Sequence, residues 1–255
     1  MTTPLILLTN DDGFYAPGIK ALEATLAQVG EVMVVAPDRQ RSGVGRAITL
    51  RRPLRARGRG PGRWAVDGTP TDCVYLALHH LLDQRPDLVV SGINSGPNLA
   101  DDVFYSGTVA GAMEAASVGV PAMAVSLVGH PPTDYEPAAA FASLVARWLL
   151  ARPLPEGTVL NVNVPETQGA AVPGYRWTRG GRRDYRHQVT VQSDPWGTQH
   201  YWLGGPLLYH FPVAGSDCEA IDAGLAALTP LSRDLTDHGA LAQLEQVRLE
   251  EIEGR

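Results

Sequence analysis

Asp11 and Asp12 stand side by side in Thr9-Asn10-Asp11-Asp12-Gly13, directly after the apolar run Leu5-Ile6-Leu7-Leu8. Two adjacent carboxylates at the end of a buried strand are costly unless something positive sits on them. A divalent cation is the simplest candidate, and a hard one, because the neighbouring donors are oxygens. Taken alone, the pentapeptide suits a plain Asx turn just as well, with Asn10 or Asp12 capping the helix that follows Pro17. Two further polar, glycine-containing stretches carry matching donors. One is Pro37 to Arg46, with the Ser42 hydroxyl beside Gly43 and Gly45; the other is Ser91 to Leu99, with the Asn94 amide. A fourth stretch, Tyr105-Ser106-Gly107-Thr108-Val109-Ala110-Gly111, opens a helix with two hydroxyls at its start. Such a start can hold a phosphate through free amides and the helix dipole, or can simply be an N-cap supplied by Ser106 or Thr108. Two carboxylates, a hydroxyl and an amide carbonyl suit magnesium or manganese; they suit zinc poorly, since no His or Cys joins them. A metal, a phosphate cradle and water together spell hydrolysis of a phosphate ester.

The elements that must position these groups alternate regularly. Leu5 to Leu8 and Val32 to Ala36 read as strands buried on both faces, joined by a helix from Pro17 to Val29 that Gly30 ends. Ile48 to Leu54 and Trp64 to Val66 read as a hairpin, with Gly58 to Arg63 as its turn and its arginines as a solvated face. Thr69 and Pro70 fit the N-cap and first position of a helix running through Cys73 to Leu82, where His79 and His80 are surface or packing residues. Leu88 to Gly92, Pro121 to Leu127 and Val159 to Val164 are further strands, with a helix over Glu136 to Ala151. The alternation predicts an α/β, Rossmann-like doubly wound, mostly parallel sheet. In such a sheet, loops at the carboxyl ends of the strands converge on one crevice.

The pattern changes near Pro165. Gly174 to Phe211 is rich in Tyr, Trp and Arg and reads as extended hairpins, which often serve as subunit contacts. Ser216 to Glu219 has the form of a capping box, Ala226 to Pro230 of a strand, and His238 to Glu253 of a final amphipathic helix fraying at Glu250-Glu251. The expected division is a catalytic core over 1–165 and a hairpin and helix region over 166–255.

Composition bounds the rest. Hydrophobic residues make up 44% of the 255, enough for a substantial core. A net charge of −6 argues against a nucleic-acid scaffold. It does not exclude a small anionic substrate, since a bound metal outweighs the global charge locally. Cys73 and Cys218 form no Cys-x-x-Cys and read as thiols in a reducing compartment. No basic n-region precedes the first apolar run, which is too short for a membrane span, so the expectation is a soluble cytoplasmic protein.

These blocks, in this order, resemble the SurE survival-protein family of metal-dependent nucleotidases. The likeness rests on Asn10 to Gly13, Ala36-Pro37, Ser42-Gly43, Asp67 to Pro70 with Asp72-Cys73, and Ser91 to Asn94 with Gly96 and Asn98. Tyr105 to Ala112, Thr229 to Leu231 and Asp234 to Thr236 complete it, so that it spans nearly the whole chain. The resemblance implies that Asp11, Asp12, Ser42 and Asn94 ligate one magnesium or manganese ion per subunit. It implies catalytic roles for Asp11 and Asp12, and phosphate or substrate contact by Asn10, Gly43, Asn98, Ser106, Gly107 and Thr108. The implied substrate is a nucleoside monophosphate, cleaved as a 5'-nucleotidase with 3'-nucleotidase and exopolyphosphatase activity as further possibilities. A C-terminal hairpin exchanged between subunits of a homodimer or homotetramer is implied as well. Arg46 departs from the pattern, since relatives often carry His there. The expected chemistry has Asp11 or Asp12 orienting or deprotonating the attacking water. If Asp11 were instead the nucleophile, a phosphoaspartyl intermediate would form.

Three other classes fit less well. A magnesium-binding receiver domain also pairs acids after its first strand, but it needs a phosphoacceptor aspartate after the third strand and a lysine after the fifth. The only lysine here is Lys20, in the first helix. A dinucleotide-binding dehydrogenase would need Gly-x-Gly-x-x-Gly in the first turn. A haloacid-dehalogenase-type phosphatase would need Asp-x-Asp rather than adjacent acids.

Overall fold

The computed structural model describes residues 3–129, 134–185, 188–205, 207–245 and 247. Five strands and the helices between them form the frame: β1 (Leu5–Thr9), α1 (Pro17–Leu26), β2 (Glu31–Pro37), then the short edge pair β3 (Ala56–Gly58) and β4 (Arg63–Val66), α2 (Pro70–Leu76) and β5 (Leu88–Ser95). The chain continues through α3 (Gly107–Ser117), β6 (Ala122–Val128), α4 (Glu136–Ala151) and β7 (Thr158–Pro165). Beyond these come β8 (Tyr175–Trp177), β9 (Arg183–Tyr185), β10 (Gln188–Ser193), β11 (Gln199–Gly204), β12 (Leu207–His210), α5 (Asp217–Asp222), β13 (Ala226–Ser232) and α6 (His238–Leu244).

Nine strands make one sheet in the order β3-β4-β2-β1-β5-β6-β7-β13-β8. The six from β4 to β7 run parallel, β13 is antiparallel to β7, and β3 is antiparallel to β4. Alternate β1 side chains enter opposite cores, which is why its sequence is continuously apolar. Ile6 and Leu8 pack with Ile19, Leu22 and Leu26 of α1 and with the alanines of α4, while Leu7 packs with Cys73 and Val74 of α2 and Val109 and Ala112 of α3. Helices therefore cover both faces. The strand order reverses at β1, whose neighbours are β2 on one side and β5 on the other. That reversal opens a crevice at the carboxyl ends of β1 and β5.

Several boundaries differ from those read in the sequence. Residues 48–54 are not the first strand of the hairpin; β3 occupies Ala56–Gly58 instead. The earlier segment spends its hydrogen bonds on carboxylates and a turn, with Thr49 N donating to Asp72 Oδ1 at 2.8 Å and Arg52 Nη2 to the Asp67 carbonyl at 2.6 Å. The helix after Thr69 becomes a π-turn over Ala77–Leu81. β5 runs on through Asn94 to Ser95, with its register against β6 broken between Ser91 and Asn94. The last helix stops at Leu244, and residues 248–253 of the expected helix lie outside the described residues. Thr69 caps α2 in a reciprocal box with Asp72, and Pro70 takes its first position.

Candidate functional site

The site grows from the turn after β1. Asn10 is fully buried and closes an Asx turn: its Nδ2 donates to the Gly13 carbonyl at 3.0 Å and its Oδ1 accepts from Gly13 N at 3.2 Å. The turn is pressed backbone to backbone against the loop after β2. Phe14 N donates to the Pro37 carbonyl and Arg41 N to the Asp11 carbonyl, both at 2.7 Å. A Cβ on Gly13 would lie 3.1 Å from the Arg39 carbonyl carbon, and φ at Gly13 is +105°, so only glycine suits this contact. The Arg41 bond brings the neighbouring Ser42 to the Asp11 turn; Ser42 is exposed, and its Oγ accepts from Gln40 Nε2 at 2.9 Å.

Two more segments close on the acids. From β5, Ser95 N donates to Asp12 Oδ2 at 2.9 Å. The adjacent Asn94 gives its Nδ2 to the Gly96 carbonyl at 2.8 Å, which leaves Oδ1 as the end able to ligate or accept. From α3, the Thr108 hydroxyl donates to Asp11 Oδ1. Gly107 lies against the same side chain; a Cβ there would sit 2.9 Å from Asp11 Cβ and 3.1 Å from Asp11 Oδ2. Ser106 is the N-cap of α3, its Oγ accepting from Val109 N at 3.0 Å.

Electrostatics follow from this enclosure. Asp11 is 5% exposed. Burial, aided by the charge of Asp12 and partly offset by the Thr108 hydrogen bond, pushes its pKa up to about 6. Burial also raises Asp12, against the lowering effect of the Ser95 amide. Among the described residues neither acid has an ion pair with a side chain. The pair therefore sits where a cation would be welcome and none is provided by the chain.

Asn98 is placed differently from the other site candidates. It is buried, and its Nδ2 donates to Ser126 Oγ at 2.8 Å. Its backbone is clamped as well: Asn98 N donates to Asn163 Oδ1 at 2.8 Å, and its carbonyl accepts from Asn161 Nδ2 at 2.8 Å and Asn163 Nδ2 at 3.0 Å. Asn161 and Asn163 were not singled out from sequence. Their signal was two amides at i and i+2 in the otherwise apolar strand Val159 to Val164, which places both on one face. Two more residues missed from sequence are Tyr135 and Asp217. The Tyr135 hydroxyl bonds the Ser95 side chain. Asp217 Oδ2 accepts at 2.9 Å from the N–H of Ala100, a residue held at φ +50°. Gly43 takes φ +70° in an open part of its loop. Arg46 lies 3.7 Å from Glu114 and lines a cavity of about 260 Å³ with Phe104, Met113 and Leu231.

The family model described as Survival protein SurE matches residues 6–187. A protein named 5'-nucleotidase SurE from Geobacter sulfurreducens is 50% identical over 242 residues, covering 94% of this chain and 92% of that one. Its namesake from Syntrophotalea carbinolica is 52% identical over 235 residues, 91% of this chain and 93% of its own. Among solved structures, the SurE protein from Aquifex aeolicus superposes with a TM-score of 0.85 at 39% identity, over 98% of this chain and 100% of that one.

Proposed function

Because this chain belongs to the survival protein SurE family, we propose that it is a metal-dependent 5'-nucleotidase working at the Asp11–Asp12 crevice. One observation carries the reading: two buried acids without a cation are met by donors from the β2 loop, the end of β5 and the start of α3. The donor set fits a hard divalent ion. Asp11 and Asp12 would supply carboxylates, Ser42 a hydroxyl and Asn94 its Oδ1, with no nitrogen or sulfur among them. When bound, such an ion neutralises the acids, polarises the phosphoryl group and lowers the pKa of water at the site.

The chain's own residues do the rest. The Gly107 and Thr108 amides at the start of α3, with the Ser106 hydroxyl, donate to the phosphoryl oxygens and stabilise the charge that grows there. Asn10 and Gly43 hold the two loop backbones that frame the phosphate. Asn98 contributes chiefly by shape, since one of its amide hydrogens is committed to Ser126. Asp11 or Asp12 orients the attacking water and takes its proton. Thr108 fixes Asp11 for this task from one side and Ser95 fixes Asp12 from the other. Attack breaks the P–O bond to the ribose and releases nucleoside and phosphate.

The assembly reading rests on β10 and β11. They form a two-stranded sheet of their own whose side chains are exposed, with Trp202 at 65% and Trp196 in the connecting turn at 87%. A lone two-stranded ribbon with this much aromatic surface is marginal by itself. It is read as an arm of the 166–255 region that binds another copy in a homodimer or homotetramer, partly by exchange. Buried, unpaired Cys73 and Cys218 suit the cytoplasm, and no helix among the described residues is long and apolar enough to cross a membrane.

Phosphate release tests the function. The panel is the common nucleoside 5'-monophosphates, their 3' isomers and polyphosphate, each with Mg²⁺, Mn²⁺ or EDTA. Turnover of 5'-monophosphates that stops in EDTA and returns with metal is expected, and the other arms define the wider range. Full turnover in EDTA rejects the metal reading. Labelling by acetyl phosphate without turnover would favour the receiver-like alternative.

A further inference from the structure

Asp12 leans on the end of a strand, and strand ends need something to hold them. Ser95 is the last residue of β5 and follows the register break between Ser91 and Asn94. Its amide makes the 2.9 Å bond to Asp12 Oδ2. Its side chain bonds the hydroxyl of Tyr135. Tyr135 comes from another carboxyl-end segment, between β6 and α4. It occupies the N-cap position of α4 yet makes no side-chain capping bond, so helix capping does not account for its hydroxyl. Its carbonyl accepts from Ala139 N at 2.9 Å, which roots the residue in α4. Its ring is backed by α1: a Cβ on Gly18 would stand 3.0 Å from Tyr135 Cε1. Burial raises the phenol pKa and the nearby Asp12 and Glu166 carboxylates add to it, so the hydroxyl keeps its proton.

We propose that Tyr135 is a positioning residue: its hydroxyl, bonded to the Ser95 side chain, locks the Ser95 backbone so that the Ser95 amide holds Asp12 in the orientation that receives the metal. The inference rests on the reading of Asp12 as a metal ligand. Phenylalanine at 135 keeps the ring against Gly18 and removes only the tie. Ser95 is then free to rotate, and its N–H no longer points steadily at Oδ2. The orientation of a ligating carboxylate by its own hydrogen-bond partner is a recognised lever on metal affinity.

The test compares Tyr135→Phe, Ser95→Ala and the double variant, with Asp12 intact in all three. Mn²⁺ binding is measured on the substrate-free protein by electron paramagnetic resonance, beside kcat, KM and the thermal midpoint. Each single variant is expected to bind Mn²⁺ about 3- to 10-fold more weakly, the scale of one lost hydrogen bond, and to lose kcat by a similar factor. KM for the nucleotide moves less than about twofold, and the double variant is no worse than the weaker single, because both changes cut one chain of contacts. Wild-type Mn²⁺ affinity in Tyr135→Phe overturns the proposal, and so do effects that multiply in the double variant. Should Tyr135→Phe lose its fold, Ser95→Ala alone decides by the same readouts. A wild-type protein that binds no Mn²⁺ sinks the metal reading itself; equal binding by wild type and Tyr135→Phe sinks only this inference.

Discussion

Replacing Asp11 with asparagine should destroy function and stabilise the metal-free fold at the same time, and only above a definite pH. In the folded chain the Asp11 carboxyl titrates at about 6 rather than 3.8, chiefly because it is buried. Between those values the folded chain keeps a proton that the unfolded chain has lost, so stability falls as pH rises through that window. Above it the full cost stands, about 3 kcal/mol at 1.36 kcal/mol for each pH unit. Asparagine removes that charge, and its Oδ1 can still accept from Thr108. Against this, its new amide hydrogens lack a partner in a buried place, which costs about 1 to 2 kcal/mol. The net gain at pH 8 is about 1 to 2 kcal/mol, or roughly 2–8 °C in midpoint for a chain of this size. At pH 4 the wild-type carboxyl is largely protonated in the fold, and the variant gains nothing. Calorimetry in EDTA from pH 4 to 8 reads both limbs. Adding Mn²⁺ then raises the wild-type midpoint by mass action and leaves the variant where it was. A variant no more stable than wild type at pH 8, or equally stabilised at pH 4 and pH 8, would refute the reasoning that the acid pair is held uncompensated for a cation.

Three further outcomes are expected. Gly107→Ala, whose Cβ would fall 2.9 Å from Asp11 Cβ, should lower kcat/KM by about tenfold or more in a phosphate-release assay, even though alanine favours the helix. Ser106→Ala should lose the cap of α3, costing about 1 kcal/mol on thermal melting, and should weaken competitive inhibition by inorganic phosphate. Replacing residues 188–204 with a short turn should reduce the oligomer to a smaller species in light scattering while the far-ultraviolet spectrum of the core persists.

What could be read from sequence divides by the distance over which the signal acts. Asp11 and Asp12 stood out because four apolar residues precede them, and a strand followed by two acids has few meanings. Ser106 stood out because capping is settled within three residues. Asn161 and Asn163 did not, because the backbone they clamp, at Asn98, lies 63 and 65 residues away. Tyr135 was hidden for the same reason, its partner Ser95 lying on a different strand-end segment. The misplaced strand over 48–54 has another cause. Its residues have a sheet-like pattern, but Asp67 and Asp72 take the hydrogen bonds that a neighbouring strand would have taken.

The chain beyond Pro165 bears directly on the crevice. Ala100 adopts φ +50°, a left-handed conformation that costs a non-glycine residue about 1 to 2 kcal/mol. The buried carboxylate of Asp217 accepts the Ala100 N–H at 2.9 Å, and it also accepts Gly181 N and Cys218 N, each at 2.8 Å. Two residues on, Asp102 accepts from Arg183 and from the Tyr185 hydroxyl at 2.7 Å. Ala100 and Asp102 belong to the short 3-10 segment between Asn98 and Ser106. Asn98 is anchored from β6 and β7, and Ser106 begins the helix that meets Asp11. The segment between them is thus held in a strained shape by residues of the hairpin and helix region. The spacing of Asn94 from Ser106 therefore depends on chain more than 75 residues downstream. A core cut at Pro165 would keep every proposed ligand in its sequence and lose the contacts that set this distance.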